Sequence, residues 1–204
     1  MISLFLEGGP IMWPLLVCSI ISVATVVERL IFILRERGRR RPADVEEMLR
    51  RVEKSDAAGA LRAGQASPDF VARVLSSALE HRGDSFSSAA LRAANQELKR
   101  FNRGLAVLDT MITLSPLLGL LGTITGMIHA FGLMGAQELG APTAITGGIA
   151  EALIATAFGL GIAITALIPF NYLNARLEEA RHDLQDAATQ LELHLERDRA
   201  AAGG

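Results

Sequence analysis

The sequence predicts an all-α integral membrane protein with three transmembrane helices, its long helices extending into a cytoplasmic helical domain. Three observations point there. Half of the 204 residues are hydrophobic and the mean hydropathy is +0.32, more apolar than a soluble chain of this length requires. The charges are gathered into blocks, and the stretches between them are long enough to span a bilayer with almost no charge. The Lys and Arg residues all fall on one side of the map that results.

Residues 1–9 form a short outer N-terminus and residues 10–34 the first span. No charged residue occurs from Gly8 to Val27, and after Glu28 and Arg29 the apolar character resumes through Leu34. Trp13 suits the interfacial aromatic belt at one end, while Arg35, Arg37 and Arg39 to Arg41 suit anionic headgroups and cytoplasm at the other. The first residues show neither the basic region nor the small-residue cleavage site of a secretory signal, so the run reads as a retained helix. Glu28 and Arg29 read as a local pair, with Arg29 snorkelling toward headgroups.

Residues 35–104 read as the cytoplasmic helical domain. Its pattern is broken at Pro42, at Gly64 with Pro68, and at Gly83 with Asp84, which predicts three short helices. The last begins near Asp84 to Ser88 and meets no breaker before Pro116, so it is expected to run unbroken into the second span, residues 105–134. An outer loop, 135–145, carries Glu138; the third span covers 146–172. A cytoplasmic C-terminal helix, 173–204, completes the chain. Its Leu177, Leu184 and Leu191 recur seven apart with Ala180 and Ala187 between them, a seam suited to packing on the cytoplasmic bundle.

Of the twenty Lys and Arg residues, fifteen lie from Arg35 to Arg103, four lie in the C-terminal helix, and Arg29 closes the first span. The positive-inside rule then puts the N-terminus and the Glu138 loop outside, and the central domain and tail in the cytoplasm.

Several function classes fall away. The net charge of −2 and the lack of a basic patch imply no nucleic-acid partner. Cys18 is the single cysteine and lies inside an apolar run, which leaves no disulfide, zinc or iron–sulfur reading, and no metal or cofactor is expected. The glycines from Gly119 to Gly126 follow no strand and precede no lysine, so they are no phosphate loop, and no nucleophilic constellation suggests an enzyme.

Between Thr110 and Ala175 the only Asp, Glu, Lys or Arg residues are Glu138 and Glu151, and Glu151 lies about two turns inside the third span. A carboxylate at that depth is costly by a few kcal/mol, so it should face the bundle interior or a wet cavity. Such groups mark ion paths or, as neutral acids, lock helices together. Thr123, Thr125 and Thr156 carry hydroxyls that donate and accept, as a water-assisted proton relay needs, although a membrane threonine commonly bonds back to its own helix. Gly119, Gly122 and Gly126 on the second span and Gly159 and Gly161 on the third allow close approach of backbones. Pro116 frees the carbonyl of Ile112 and should kink the second span. Asp109 near the cytoplasmic mouth and His129 near the outer end are secondary candidates for proton handling.

The segments SPLLGLLGTITGMIHAF, Ser115 to Phe131, and GGIAEALIATAFGLGIAI, Gly147 to Ile164, resemble the two signature spans of the MotA/TolQ/ExbB proton-channel family. GGPIMWPLL, Gly8 to Leu16, is similar to that family's first span. By this resemblance Thr123 and Thr156 match the pore threonines and Glu151 the pore glutamate. The resemblance further implies a bacterial inner-membrane channel subunit that assembles as a homo-oligomer, a pentamer, in membrane lipid. That ring would surround single-span helices of an ExbD/TolR-like partner, whose membrane aspartate carries the proton, with a TonB/TolA-like protein as the energised client. Three spans point to the TolQ/ExbB branch. The residues alone leave a second reading open, a non-conducting membrane scaffold in which Glu151 and the threonines only hold helices together.

Overall fold

The computed structural model describes residues 2–81, 85–136 and 142–202. Among them the chain forms eight α-helices and no strand: α1 (Ile2–Glu7), α2 (Met12–Arg39), α3 (Pro42–Glu53), α4 (Ala57–Ala66), α5 (Phe70–Glu80), α6 (Phe86–Asn102), α7 (Leu105–Ala136) and α8 (Pro142–Ala202). Three stretches among the described residues are long and apolar enough to cross a membrane: Met12–Arg39, Phe86–Gly132 and Thr146–Arg197. The chain is a membrane protein. Glu138, Gly83 and Asp84, which the sequence reading singled out, lie outside the described residues.

Two compact units are built from these helices. The first comprises the residues up to Arg29 together with Gly104–Tyr172. Its core is made of small and apolar side chains on α2, α7 and α8, among them Met12, Leu15, Leu108, Ala130, Ala152, Ala155 and Ala166. Leu117, Leu121, Ile124, Ile128 and Phe131 of α7 are exposed, as are Leu153, Leu160, Ile164 and Ile168 of α8, and no charge interrupts either stripe. In water such faces would aggregate; in a bilayer they are the natural outside of a span. Glu28 and Arg29 pair as expected, through Nε at 2.6 Å. The Arg29 side chain is only 4 % exposed, however, because bare Gly104 leaves room for its stem: a methyl on Gly104 would lie 3.3 Å from Arg29 Cδ. Burial in the protein replaces the expected snorkelling.

The second unit comprises Leu30–Arg103 and the residues from Leu173 onward. Four short helices lie in its central segment where the sequence pattern suggested three. The additional break is at Lys54 to Asp56: Ser55 takes the left-handed conformation (φ 60°), and Asp56 caps α4 by accepting from the Gly59 amide at 2.8 Å. Asp69 and Ser85 cap α5 and α6 in the same way. The run expected to continue unbroken into the second span is interrupted at Arg103 and Gly104, where Gly104 has φ +82°. A glycine accepts that backbone at no steric cost, which ends α6 without a proline.

Leu177, Ala180, Leu184, Ala187 and Leu191 of α8 are buried in this unit, so the sevenfold seam packs on the bundle. Phe101 stacks edge-on against both Phe32 and Phe70, with centroids 5.3 and 5.2 Å away. Two ion clusters tie the helices together. Asp69 is fully buried and accepts from Arg40 Nη1 at 2.7 Å, from the Arg41 amide at 2.6 Å and from the Val71 amide at 2.8 Å, while Arg40 Nη2 donates to Asp183 at 2.5 Å. Arg73 donates to Glu36 at 3.1 Å and to Glu97 at 3.2 Å. Burial works against the charge of Arg73, but the bonds and charges of Glu97 and then Glu36 outweigh it and hold the guanidinium above its ordinary value.

Candidate functional site

In the first unit α7 and α8 run antiparallel at a separation that only small residues permit. A methyl group on Gly159 would fall 2.5 Å from the carbonyl oxygen of Ser115, and one on Gly119 would fall 3.0 Å from the Cα of Thr156. Farther along, Gly122 faces Ala155, and Gly126 faces Ala152 and the carbonyl of Gly148. Gly119, Gly126 and Gly159 therefore let backbone approach backbone, as their sequence pattern suggested, Gly122 makes room for the side chains of Ala155 and Ile11, and Gly161 meets nothing within 4 Å and takes no part. Small residues outside that pattern, Gly148, Ala152 and Ala155, complete the contact from the α8 side. Their spacing of three and four residues was the available signal.

This closeness brings Thr123 and Thr156 together. Their hydroxyls are hydrogen-bonded to each other. Thr156 Oγ1 also reaches the Gly119 carbonyl of the opposite helix at 3.0 Å and the Ala152 carbonyl of its own at 3.3 Å. Thr123 Oγ1 reaches the same two oxygens, Gly119 at 3.3 Å and Ala152 at 3.4 Å. Each hydroxyl has one proton to donate and a choice of three acceptors. Rotating the two O–H bonds converts one arrangement into another without creating a charge, which is the property a relay through an apolar span requires.

Glu151 is held apart from this pair. It is half-buried and turned toward the turn between α1 and α2, where a methyl on Gly9 would lie 1.8 Å from its Oε1. Its carboxylate borders a cleft of about 480 Å³ lined by Pro10, Ile11, Pro14, Leu121, Gly122, Thr125, His129 and Glu151. His129 and Glu151 are the titratable groups of that lining. Among the described residues Glu151 makes no hydrogen bond or ion pair. Thr125 is exposed and bonds back to Leu121 at 3.0 Å and Gly122 at 3.1 Å, away from the Thr123–Thr156 pair. The five residues from Glu151 to Thr156 span about 7.5 Å of helix axis.

Of the remaining candidates, Pro116 sits inside α7 beside Ser115, whose fully buried hydroxyl donates to Met111 at 2.7 Å. Asp109 is exposed on the first turns of α7, distant in sequence from both polar groups, and its carbonyl accepts from Thr113. No group of His, Cys, Asp and Glu among the described residues could hold a metal ion. Sequence reasoning missed Gly9. Nothing local in the sequence said that Glu151, far along the chain, would lie against it.

Comparison with known proteins places these features in a family. Residues 62–186 match the MotA/TolQ/ExbB proton channel family. The chain belongs to it. The matched region contains the paired threonines, Glu151 and the glycine contact of α7 with α8. An ExbB-like biopolymer transport protein of Synechocystis sp., ExbB-like 3, is 36 % identical over 202 residues, covering 92 % of this chain and 91 % of the relative. ExbB-like 1 of the same organism is 34 % identical over 93 % of this chain and 76 % of its own length. The Tol-Pal system protein TolQ of Haemophilus influenzae is 37 % identical over 91 residues, 45 % of this chain and 40 % of the relative. As a MotA/TolQ/ExbB family member the chain is a subunit of the proton-channel class, a class of transport proteins and not of enzymes.

Proposed function

We propose that this chain is the channel-forming subunit of a motor complex of the ExbB/TolQ type in the bacterial inner membrane. Proton flow down the proton-motive force would drive motion of enclosed partner helices, and so energise envelope or outer-membrane processes such as TonB-dependent transport. The observation that carries the reading is the shared hydrogen bond of Thr123 and Thr156 beside the close glycine contact of the two spans, at a depth where neither carries a charge next to it. Glu151, a carboxylate without a hydrogen-bond or ionic partner among the described residues, stands about 7.5 Å along the axis from it. Hydroxyls supply proton transfer where a fixed charge is too costly, and the carboxylate supplies a site that binds and releases a proton.

A proton carrier able to change position is missing from this pair of spans. An ExbD/TolR-like single-span partner with a membrane aspartate supplies it, and a TonB/TolA-like protein receives the motion. The uncharged exposed stripes of α7 and α8 suit contact with lipid and with neighbouring copies in a homo-oligomeric ring, a pentamer by family resemblance. Native mass spectrometry in detergent is expected to give a ring-sized assembly; a monomer at working concentration contradicts it.

The alternative is a non-conducting scaffold, and it draws on the same hydrogen bonds, since both threonines also reach a carbonyl of their own helix. Complementation separates the two readings. Glu151→Gln keeps the size of the side chain and removes its titration; Thr156→Val keeps the volume and removes the hydroxyl. Both variants are expected to assemble and to lose energised function, and full activity of both at wild-type expression favours the scaffold.

A further inference from the structure

We propose that Gly9 is a positioning residue for Glu151: its bare Cα, held in a left-handed turn, is the space in which the carboxylate rests. Three observations support this. Gly9 has φ +73°, a conformation that L side chains rarely adopt. A methyl built there would lie 1.8 Å from Glu151 Oε1, 2.6 Å from Cδ and 3.1 Å from Cγ, so the carboxylate fills the place of the absent side chain. The neighbouring Pro10 and Ile11 line the same cleft as Glu151, Thr125 and His129, so the turn that seats the carboxylate is also a wall of the space into which it opens.

The chemistry follows from flexibility. Glu151 meets Gly9 with the far end of a side chain that rotates about three bonds, so a methyl at Gly9 displaces the carboxylate, in addition to the backbone strain that any side chain meets at φ +73°. For proton transfer that displacement is costly, because a shift of about 1 Å in a reacting group lowers rates by up to roughly a hundredfold. Gly8, one residue earlier, is the internal control. A methyl there has Met12 at 2.6 Å and Ile154 at 3.0 Å as its nearest neighbours, with no Glu151 atom among the three nearest, so it crowds the same turn from another side.

The inference rests on the channel reading for its functional consequence, and the test separates the two. In the full-length complex in lipid nanodiscs, the carboxyl band of Glu151 is identified in infrared difference spectra as the one lost in Glu151→Gln. Gly9→Ala is expected to displace that band and Gly8→Ala to leave it in place, whether or not Glu151 carries protons in the cell. Glu151→Asp draws the carboxylate back by one carbon. In complementation Gly9→Ala is expected to lower activity about tenfold to a hundredfold, and Gly9→Ala/Glu151→Asp to exceed Gly9→Ala alone. An unmoved band in Gly9→Ala, or equal displacement in Gly8→Ala, overturns the proposal. If Gly9→Ala does not assemble, assembly of the double variant supports the proposal and its failure overturns it.

Discussion

Thr123 and Thr156 meet hydroxyl to hydroxyl across α7 and α8, and both are within reach of the same two carbonyl oxygens, Gly119 and Ala152. The pair exists because Gly119 and Gly159 remove the side chains that would hold the two backbones apart. Packing and the proposed proton path therefore share one set of residues, and substitutions can be chosen to act on one or the other.

Substitutions at the threonines act on the chemistry. Thr123→Val and Thr156→Val each remove one hydrogen-bonding hydroxyl at constant volume, at a stability cost of about 1 kcal/mol. The expected loss of energised function is about a hundredfold or more, the scale of a missing proton-transfer group. Thr125→Val, which removes a hydroxyl that bonds only to its own helix, is expected to retain most activity. Growth dependent on the energised process, normalised to membrane levels of each variant, checks all three.

Substitutions at the glycines act on the packing. Gly159→Ala drives a methyl to 2.5 Å from the Ser115 carbonyl, and backbone cannot give way as a side-chain tip can. A loss of roughly 1–3 kcal/mol is expected, as for overpacked cores. Gly161→Ala, two residues on, meets nothing within 4 Å and should leave stability unchanged or slightly raised. Thermal unfolding of the two variants in one detergent compares them directly.

In the second unit, Asp69→Ala leaves the Arg41 and Val71 amides and the Arg40 guanidinium without their buried acceptor. A cost of about 3–5 kcal/mol is expected, as when one partner of a buried ion pair is removed. Asp69→Asn, which keeps one carbonyl acceptor, should fall between. Unfolding midpoints of the full-length chain test the order.

Topology gives an independent check. Reporters fused after Arg41 and after the C-terminal helix are expected in the cytoplasm, and one at Gly140 outside. A cytoplasmic reporter at Gly140 removes the three-span arrangement.

The three long apolar helices were legible because their signals are local and large: long uncharged runs, with Arg clusters at their ends. Glu151 was legible as the one carboxylate with no affordable reason to be there. The pairing of Thr123 with Thr156 was legible only in outline, since helical rise puts them at a common depth but the rotation of each helix decides whether they touch. Gly9 as the neighbour of Glu151 was not legible at all, because more than a hundred residues of chain separate them. The breaks at Ser55 and Gly104 escaped for a different reason: both depend on a left-handed backbone conformation that no proline announces, although Asp56, an acid three residues before Gly59, was a cap signal that could have found the first.

The most direct measurement is proton flux through the chain reconstituted with the single-span partner proposed for it, in liposomes carrying a pH-sensitive dye. With a proton gradient imposed, the wild-type complex is expected to conduct, and Thr156→Val and Glu151→Gln complexes of the same size and partner content are expected to fall to the rate of empty liposomes. Wild-type flux through both variants contradicts a proton path along Thr123, Thr156 and Glu151.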